Sequence, residues 1–187
     1  MSLKVITGYK GAGKTAFCTS LCNTGHQHGR RIFSNYKLEF PYKPIDLKAM
    51  IENPNWVKDG IIAIDEAQTF VDCRMSASKK NRLFSYIMLQ GRKRKIDIIL
   101  TTQQIDNVDI RIRRNLEHLY ECKALVKDEE MHKLRPATAE EIEGQMVDLV
   151  HITFTDYTMG RRMKMLFDPH PMFKLYDSDE FVDIMDE

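Results

Sequence analysis

Short apolar runs alternate with longer amphipathic segments along the first two thirds of the chain. They predict strands near residues 3–7, 30–34, 61–65, 96–102 and 117–123, with helices between them. One predicted helix lies in "NRLFSYIMLQGRKRK", before the fourth of these strands. The run "IIAI" is apolar throughout, which is typical of a central parallel strand covered on both faces. The alternation predicts an α/β fold with a mostly parallel sheet and right-handed crossovers.

The pattern changes after about residue 125. Residues 127–144 are rich in charge and predict a solvated helix or loop, while residues 148–168 alternate and turn at Met159-Gly160, which predicts a β-hairpin. The acidic end, 176–187, predicts a surface tail or a short terminal helix, and the proline-containing segment 36–60 predicts loop, short helix and loop. We expect a single domain over residues 1–187, with a core of about 1–125 and a C-terminal appendage of about 126–187.

The stretch "GYKGAGKT" follows the first predicted strand directly and precedes a predicted helix. It matches the phosphate-binding pattern G-x-x-x-x-G-K-[ST] at every fixed position. In such a loop, backbone N–H groups surround a phosphate, and Gly8, Gly11 and Gly13 let the backbone approach the phosphate oxygens. The alternative is a glycine-rich turn that contains Lys-Thr by chance, and the flanking strand and helix argue against it.

Two side chains of this loop have specific expected roles. Lys14 is expected to reach the β- and γ-phosphates, and the Thr15 hydroxyl to bind Mg²⁺. The N-terminus of the following helix adds its positive end to the same anion. Lys10 is an extra cation that either touches nucleotide or is solvated, and we favour the solvated state. The residues predicted to contact ATP are Gly8, Tyr9, Lys10, Gly11, Ala12, Gly13, Lys14, Thr15 and Ala16.

The strand "IIAI" ends in an acidic pair, Asp65-Glu66. Open α/β sheets bind ligands at the carboxyl ends of their strands. Asp65 is therefore expected to hold Mg²⁺ opposite Thr15, and Glu66 to orient and deprotonate the water that attacks the γ-phosphate. The alternative is that two acidic residues merely cap a strand end. A similar argument applies to "KIDIILTTQQ", where the amide of Gln103 is expected to contact the γ-phosphate from the tip of a neighbouring strand.

Composition and charge indicate which broad classes of protein the chain can belong to. A chain of 187 residues with 43% apolar residues suits one domain with a sizeable core, and a net charge of +1 does not by itself indicate nucleic acid. The chain has no run of 18 apolar residues and no signal pattern, so we expect an intracellular protein without a membrane span. The cysteines lack C-x-x-C spacing, which indicates reduced thiols. Cys18, Cys22 and His26 share one helical face, which predicts a core-facing stripe rather than a metal site.

Together these motifs carry a family resemblance. "ITGYKGAGKT", "IIAIDEAQ" and "RKRKIDIILTTQQIDNVDIRIRRN" resemble the FtsK/HerA-type ATPases in order and spacing, over roughly residues 1 to 125. Two branches are most similar: the Zot-like assembly proteins of filamentous phages, and the genome-packaging ATPases of tailless icosahedral viruses with internal membranes. The resemblance implies a RecA-like P-loop core, a hexameric ring, and Mg²⁺-dependent ATP hydrolysis at subunit interfaces.

The choice of branch depends on the end of the chain. Zot-like proteins continue into a membrane-spanning segment, whereas this sequence ends at Glu187 without one. We therefore expect the packaging branch: translocation of double-stranded DNA into a preformed capsid, in the host cytoplasm and transiently at the portal vertex, with a capsid or membrane component of the virion as partner. The alternatives are a Zot-like, ATP-dependent assembly or secretion factor and, more weakly, a small-molecule kinase.

Arginines and lysines supply the expected contacts of a ring. The resemblance implies an arginine from a neighbouring subunit at the γ-phosphate, and the candidates are Arg92 and Arg94 or Arg111 and Arg113. Four basic clusters are candidates for DNA phosphates, and the hairpin cluster is the first to test because Gly160 places it at a tip. They are Lys79/Lys80/Arg82, Arg92-Lys93-Arg94-Lys95, Arg111/Arg113/Arg114 and Arg161/Arg162/Lys164.

Overall fold

A mixed sheet organises the chain. The structure is a computed structural model that describes residues 2–46, 49, 53, 57–70, 94–128, 130–144 and 147–181. All five strands predicted from the apolar runs are confirmed. Within these residues the strands are β1 (Leu3–Thr7), β2 (Arg31–Ser34), β3 (Tyr36–Leu38), β4 (Lys43–Pro44), β5 (Gly60–Ile64), β6 (Asp97–Thr102), β7 (His118–Asp128), β8 (Lys133–Pro136), β9 (Leu149–Asp156), β10 (Arg161–Phe167) and β11 (Tyr176–Phe181).

The strand order places three strand ends side by side. The main sheet runs β10-β9-β7-β1-β6-β5-β2-β4, with β8 paired to β7. From β7 to β4 every pairing is parallel, while β8, β9 and β10 join antiparallel. Strand β6 lies between β1 and β5, with Thr7 beside Thr102 and Ile64 beside Leu100. The phosphate loop after β1 and the acidic pair after β5 therefore open at the same edge of the sheet.

The described helices are α1 (Lys14–Gln27), α2 (Ala67–Phe70), α3 (Ile110–Arg113) and α4 (Ala139–Glu143). Helix α1 ends before Gly29, which has a φ of 75°, whereas Gly25 lies inside the helix. Cys18 and Cys22 are fully buried and His26 is half-buried, so the core-facing stripe is confirmed for its two cysteines. The helix predicted in "NRLFSYIMLQGRKRK" lies almost entirely outside the described residues. No described helix is long and apolar enough to cross a membrane.

Both faces of the sheet are covered, which explains the continuous apolar runs. Along β5, Ile62 and Ile64 join one core cluster with Leu3 and Val5 of β1, while Ile61 and Ala63 face the other. The second cluster contains the inner side of α1. A strand that is buried on both sides needs apolar residues at every position.

The C-terminal hairpin is confirmed and is also joined to the main sheet. Strands β9 and β10 pair antiparallel across the Met159-Gly160 turn, and β9 pairs with β7 along its whole length. Val150 and Ile152 of β9 are fully buried in the core cluster under α1. Sequence periodicity predicted the hairpin but held no signal for this long-range pairing with β7.

Two terminal and connecting segments differ from the prediction. The end of the chain was expected to be a surface tail or a short helix, and this is wrong for Tyr176–Phe181, which forms β11 against β3. Pairing with β3 gives this acidic segment a backbone partner that its own strand propensity does not reveal. Residues 182–187 lie outside the described residues. In 36–60 the short strands β3 and β4 replace predicted loop, and the predicted short helix falls largely outside the described residues.

Candidate active site

The phosphate loop connects β1 to α1 in the conformation that the glycines permit. The Ala12 N–H donates to the Tyr9 carbonyl at 3.1 Å, which closes a tight turn. Gly13 has a φ of 83° and directly precedes the first residue of α1. Tyr9 and Lys10 are both exposed.

The C-terminal strands and α4 pack against the phosphate loop. A Cβ at Gly8 would lie 2.6 Å from the Cys122 carbonyl oxygen, which is backbone and cannot rotate away. A Cβ at Gly11 would meet Ile142 of α4, and one at Gly13 would lie 2.5 Å from Val150 of β9. The glycines are thus required for two reasons: the C-terminal strands and α4 leave no room for a Cβ, and a ligand needs access to the backbone of the loop. The sequence motif shows only the second requirement.

Lys14 is a buried cation that faces two carboxylates. Its side chain is 5% exposed, and Nζ donates to the Tyr9 carbonyl at 2.9 Å. Burial lowers the pKa of Lys14, and the nearby Glu66 and Asp65 oppose this shift. The ammonium group thus lies against one loop carbonyl and near both residues of the acidic pair.

A hydrogen bond joins the phosphate loop to β5. The Thr15 hydroxyl donates to Asp65 Oδ2 at 3.0 Å, and the Thr101 hydroxyl of β6 donates to Asp65 Oδ1. Burial raises the pKa of Asp65, while the hydrogen bonds from Thr101 and Thr15 and the charge of Lys14 oppose the rise. The two residues predicted to bind Mg²⁺ are therefore in direct contact.

The backbone of Asp65 is held by a residue that the sequence analysis missed. Asn35, directly after β2 and buried, accepts from the Asp65 N–H at 2.7 Å and donates to the Asp65 carbonyl at 3.0 Å. One amide side chain thus satisfies both backbone groups of the acidic residue. The only sequence signal was a polar residue at the end of an apolar run, which is too common to single out.

Glu66 lies in a left-handed turn beside Asp65. Its φ is 50°, which is uncommon for a residue with a side chain and often marks a functional position. Its N–H donates to the Thr101 hydroxyl at 3.0 Å, and the Gln68 amide donates to its carboxylate. Burial raises the pKa of Glu66, and the positive charge of Lys14 opposes the rise. The Thr101 hydroxyl therefore contacts both members of the acidic pair.

The remaining predicted residues lie farther from this network. Gln103 follows the end of β6 and is exposed. Arg94 lies at the opposite edge of the sheet, where its carbonyl accepts from the Asp59 N–H just before β5. Arg111 forms an ion pair with the buried Asp109 at 2.8 Å. Arg92 lies outside the described residues.

Hard oxygen donors, rather than a closed cluster of ligands, mark this site. No group of three metal-binding His, Cys, Asp or Glu side chains occurs among the described residues. Magnesium in phosphoryl-transfer sites is held by one or two protein oxygens together with the phosphates of the substrate. The adjacent oxygens of Thr15 and Asp65 fit that requirement.

The comparison with protein families identifies one match. The family described as Zonular occludens toxin (Zot) matches residues 37–180. No curated protein sequence gave a significant match. The matched segment includes the acidic pair and the C-terminal strands, and it begins after the phosphate loop.

Solved structures with the same fold cover nearly the whole chain. The N-terminal domain of zonular occludens toxin from Neisseria meningitidis is 20% identical, with a TM-score of 0.60 over 94% of this chain and 98% of that one. B204, the DNA-packaging ATPase from Sulfolobus Turreted Icosahedral Virus, is 14% identical, with a TM-score of 0.58 over 90% and 97%. The cytoplasmic domain of the Type VII secretion ATPase EccC from Thermomonospora curvata is 10% identical, with a TM-score of 0.55 over 89% of this chain and 24% of that one.

These matches confirm the P-loop NTPase fold and the resemblance to both branches. The family that matches is Zot, which is the branch that the sequence predicted only as an alternative to the packaging ATPases. The structural similarities to the two branches differ by only 0.02 in TM-score, 0.60 against 0.58, and so do not separate them.

Proposed function

Because this chain belongs to the Zonular occludens toxin (Zot) family, we propose that it binds ATP with Mg²⁺ and hydrolyses it during virion assembly. The observation that carries the proposal is the hydrogen bond from the Thr15 hydroxyl to Asp65. It joins the phosphate loop to the strand that bears the acidic pair. Phosphate, metal and a carboxylate that activates water can then share one site.

The phosphate groups are held by the loop. Backbone N–H groups of residues 8–16 and the N-terminus of α1 face the anion, and Lys14 moves from the Tyr9 carbonyl to the β- and γ-phosphates. Thr15 and Asp65 hold Mg²⁺, which when bound offsets the negative charge of the phosphates. Lys14 is already buried and oriented, so little side-chain entropy is lost on binding.

Glu66 is the proposed general base. Its carboxylate orients the attacking water and accepts a proton from it, which requires the ionised form at neutral pH. The charge of Lys14 favours that form against the effect of burial. Thr101 fixes the backbone of Glu66, and Gln68 contacts its carboxylate. Gln103, at the end of β6, is proposed to contact the γ-phosphate.

A second copy of the chain is proposed to complete the site. Arg94 lies at the far edge of its own sheet, so its guanidinium would serve the site of a neighbouring subunit in a hexameric ring. The other candidates are Arg92, Arg111 and Arg113. Arg111 and Arg113 would have to leave their ion pairs with Asp109 and Asp106. An arginine supplied in this way stabilises the charge of the transition state.

The hydrolysis is proposed to drive movement of double-stranded DNA. The structural relative B204 is a DNA-packaging ATPase, and this supports the same substrate here. The alternative within the Zot family is an ATP-dependent assembly or secretion factor that acts on a virion component. A small-molecule kinase is the weaker candidate, since Glu66 directly after Asp65 suits activation of water.

The described residues limit where DNA phosphates can bind. Arg111 and Arg113 are both engaged in ion pairs, with Asp109 and Asp106 respectively. The candidate cluster Lys79/Lys80/Arg82 lies outside the described residues, as do Arg92 and Lys93. Strand β10 exposes Arg161, Arg162 and Lys164, and of these Arg162 forms an ion pair with Glu121.

The rate of ATP hydrolysis, measured with and without duplex DNA at several protein concentrations, tests this proposal. A DNA motor should be stimulated by random duplexes of equal length to the same extent, and log affinity should fall linearly with log salt, by ~0.9 per phosphate neutralised. Specific activity should rise with protein concentration if a neighbour supplies an arginine. A hydrolysis rate that does not change with duplex DNA contradicts translocation and favours the assembly factor. Absence of hydrolysis contradicts both the DNA motor and the ATP-dependent assembly factor.

A further inference from the structure

Within the part of the chain that the structure describes, the main sheet ends in an edge strand that is exposed along most of its length. Among the described residues, β10 pairs only with β9, which covers all seven of its positions on one side. Six of its seven residues are exposed, so neither face is covered along most of its length. Unpaired backbone groups on a sheet edge are a template for another strand, and natural proteins normally shield such edges.

The composition of β10 indicates a protein partner rather than a nucleic acid. Its sequence is "RRMKMLF", with three cations and no acidic residue. Between the cations it exposes large apolar side chains, with Met163 at 52% and Leu166 at 57% exposure. Phosphate contacts need only positive charge and polar groups, so they leave these apolar side chains unexplained. Strand addition uses the backbone edge and both kinds of side chain.

A second β10 is a poor occupant. In an antiparallel pairing of two copies centred on Lys164, this lysine would lie opposite its own counterpart. A shift toward the N-terminus places Lys164 opposite Arg162, and a shift toward the C-terminus that places Lys164 opposite Leu166 shortens the pairing to five residues. Like charges directly opposite each other destabilise a strand pair. The occupant should therefore be an extended segment with negative charge.

The chain itself contains such a segment in β11. This strand, "YDSDEF", has six residues, three of them acidic, and among the described residues it pairs on one edge only, with β3. Its length is close to the seven residues of β10. The complementary charges of the two strands make a pairing between β10 of one copy and β11 of another favourable.

We propose that β10 of one subunit adds to β11 of the next subunit, and that this contact assembles the protein. The contact joins two different surfaces, so repeating it gives a closed ring or an open filament rather than a symmetric dimer. It rests on the proposed function only in that the hydrolysing site needs a neighbour. It names the surface through which that neighbour binds.

Charge reversal on each strand tests the pairing. The first variant is Arg161→Glu/Lys164→Glu, which leaves Arg162 in its ion pair with Glu121. The second is Asp179→Lys/Glu180→Lys, and the third combines all four changes in one chain. The matched control is Lys123→Glu/Lys127→Glu, which reverses two exposed charges on β7. Sedimentation velocity at rising protein concentration, with ATP and Mg²⁺, gives the mass of each species relative to the 21.9 kDa chain.

The expected result is a pattern rather than a single loss. Wild type and control form oligomers, and the first and second variants each sediment as monomers. An equimolar mixture of these two variants recovers oligomers, because every contact between unlike copies is again complementary. This recovery shows that both monomeric variants were folded, and the four-change chain should recover oligomers by itself.

Other results overturn the proposal. Oligomers that persist in both reversed variants, or a wild type that stays monomeric, exclude the pairing. Loss of oligomers in the first variant alone excludes β11 as the occupant. If the first variant keeps its mass but loses affinity for duplex DNA, β10 binds DNA instead. Binding of ATP, measured separately on each variant, reports on the proposed function and is independent of these outcomes.

Discussion

Two regions of the main sheet, the carboxyl ends of its central strands and its edge strand β10, differ in how their polar groups are paired. At the carboxyl ends of β1, β5 and β6, the polar groups that surround the acidic pair contact one another. Both carboxylate oxygens of Asp65 accept hydroxyl groups, and its backbone is held by Asn35. At β10 the side chains of the sheet edge are exposed on both faces. The first region is organised within one chain, whereas the second is left open for a partner.

The contrast also distinguishes two kinds of functional surface. Buried polar networks are stable only if their members are satisfied, and such networks hold chemical groups in one geometry. An open strand edge leaves backbone groups unpaired on one side, and a partner strand that binds there pairs them. Substitutions in the first region should therefore change chemistry or stability, and those in the second should change assembly.

The largest expected effect is on turnover, from Glu66→Gln. The amide keeps the size of the side chain but cannot accept the proton of water, so kcat should fall by ~10²–10⁴-fold. Binding of ATP should be retained, whereas Lys14→Ala should weaken binding itself. Phosphate release and equilibrium binding of a fluorescent ATP analogue measure the two effects. Glu140→Gln, at an exposed position of α4, is the matched control. Turnover at the wild-type rate in Glu66→Gln would show that this carboxylate is not the base.

Two glycines with the same backbone conformation compare the regions directly. Gly13 in the phosphate loop and Gly160 in the β9–β10 turn have φ values of 83° and 63°. Alanine at either position costs ~1–2 kcal/mol for the left-handed conformation. At Gly13 the new Cβ also meets Val150, which adds ~1–3 kcal/mol, while at Gly160 it meets nothing within 4 Å. Thermal or urea unfolding should therefore show a larger loss for Gly13→Ala. Equal losses would mean that β9 does not support the loop.

Local patterns were sufficient to predict the half of the molecule that carries the phosphate-binding motif and the acidic pair. Three features can each be recognised from a segment of about ten residues. They are the phosphate loop, the strand that ends in Asp65-Glu66, and the strand that contains Thr101. Their strands are buried on both faces, so their apolar runs are unambiguous. The convergence of their ends then follows from the general rule for parallel sheets.

Long-range contacts were not predictable in the same way. The packing of Val150 against Gly13 joins residues far apart in the chain, and no periodicity records it. The same is true of the bonds from Asn35 to Asp65 and of the pairing of β11 with β3. Each depends on which strands become neighbours, and that is decided by the whole sheet rather than by the segment.

A moderate effect on turnover is expected from Thr101→Val. Valine keeps the shape but removes the hydroxyl that contacts both Asp65 and Glu66. Loss of one such hydrogen bond costs ~1–1.5 kcal/mol, so kcat should fall about tenfold, with a smaller change in affinity for ATP. Thr101→Ser should restore the rate. Thr102→Val is the control, because that hydroxyl contacts the Gln104 carbonyl just beyond the end of β6 and neither acidic residue. A serine variant as slow as the valine variant would indicate packing rather than positioning.

The smallest expected effect is a pH-dependent change in the free energy of unfolding. Burial raises the pKa of Glu66 in the folded protein above its ordinary value near 4.5, so between these two values the folded state binds more protons than the unfolded state. The contribution of Glu66 to stability therefore falls as the pH rises through that window. Glu66→Gln removes this titration, and the variant should gain stability relative to wild type at pH 7 and not at pH 4. Arg161→Gln at the open edge should give no such difference between the two pH values. Thermal unfolding of the three proteins at both pH values measures it. A gain for Glu66→Gln of the same size at pH 4 and pH 7 would assign the effect to an altered contact with Gln68 instead of to the buried charge.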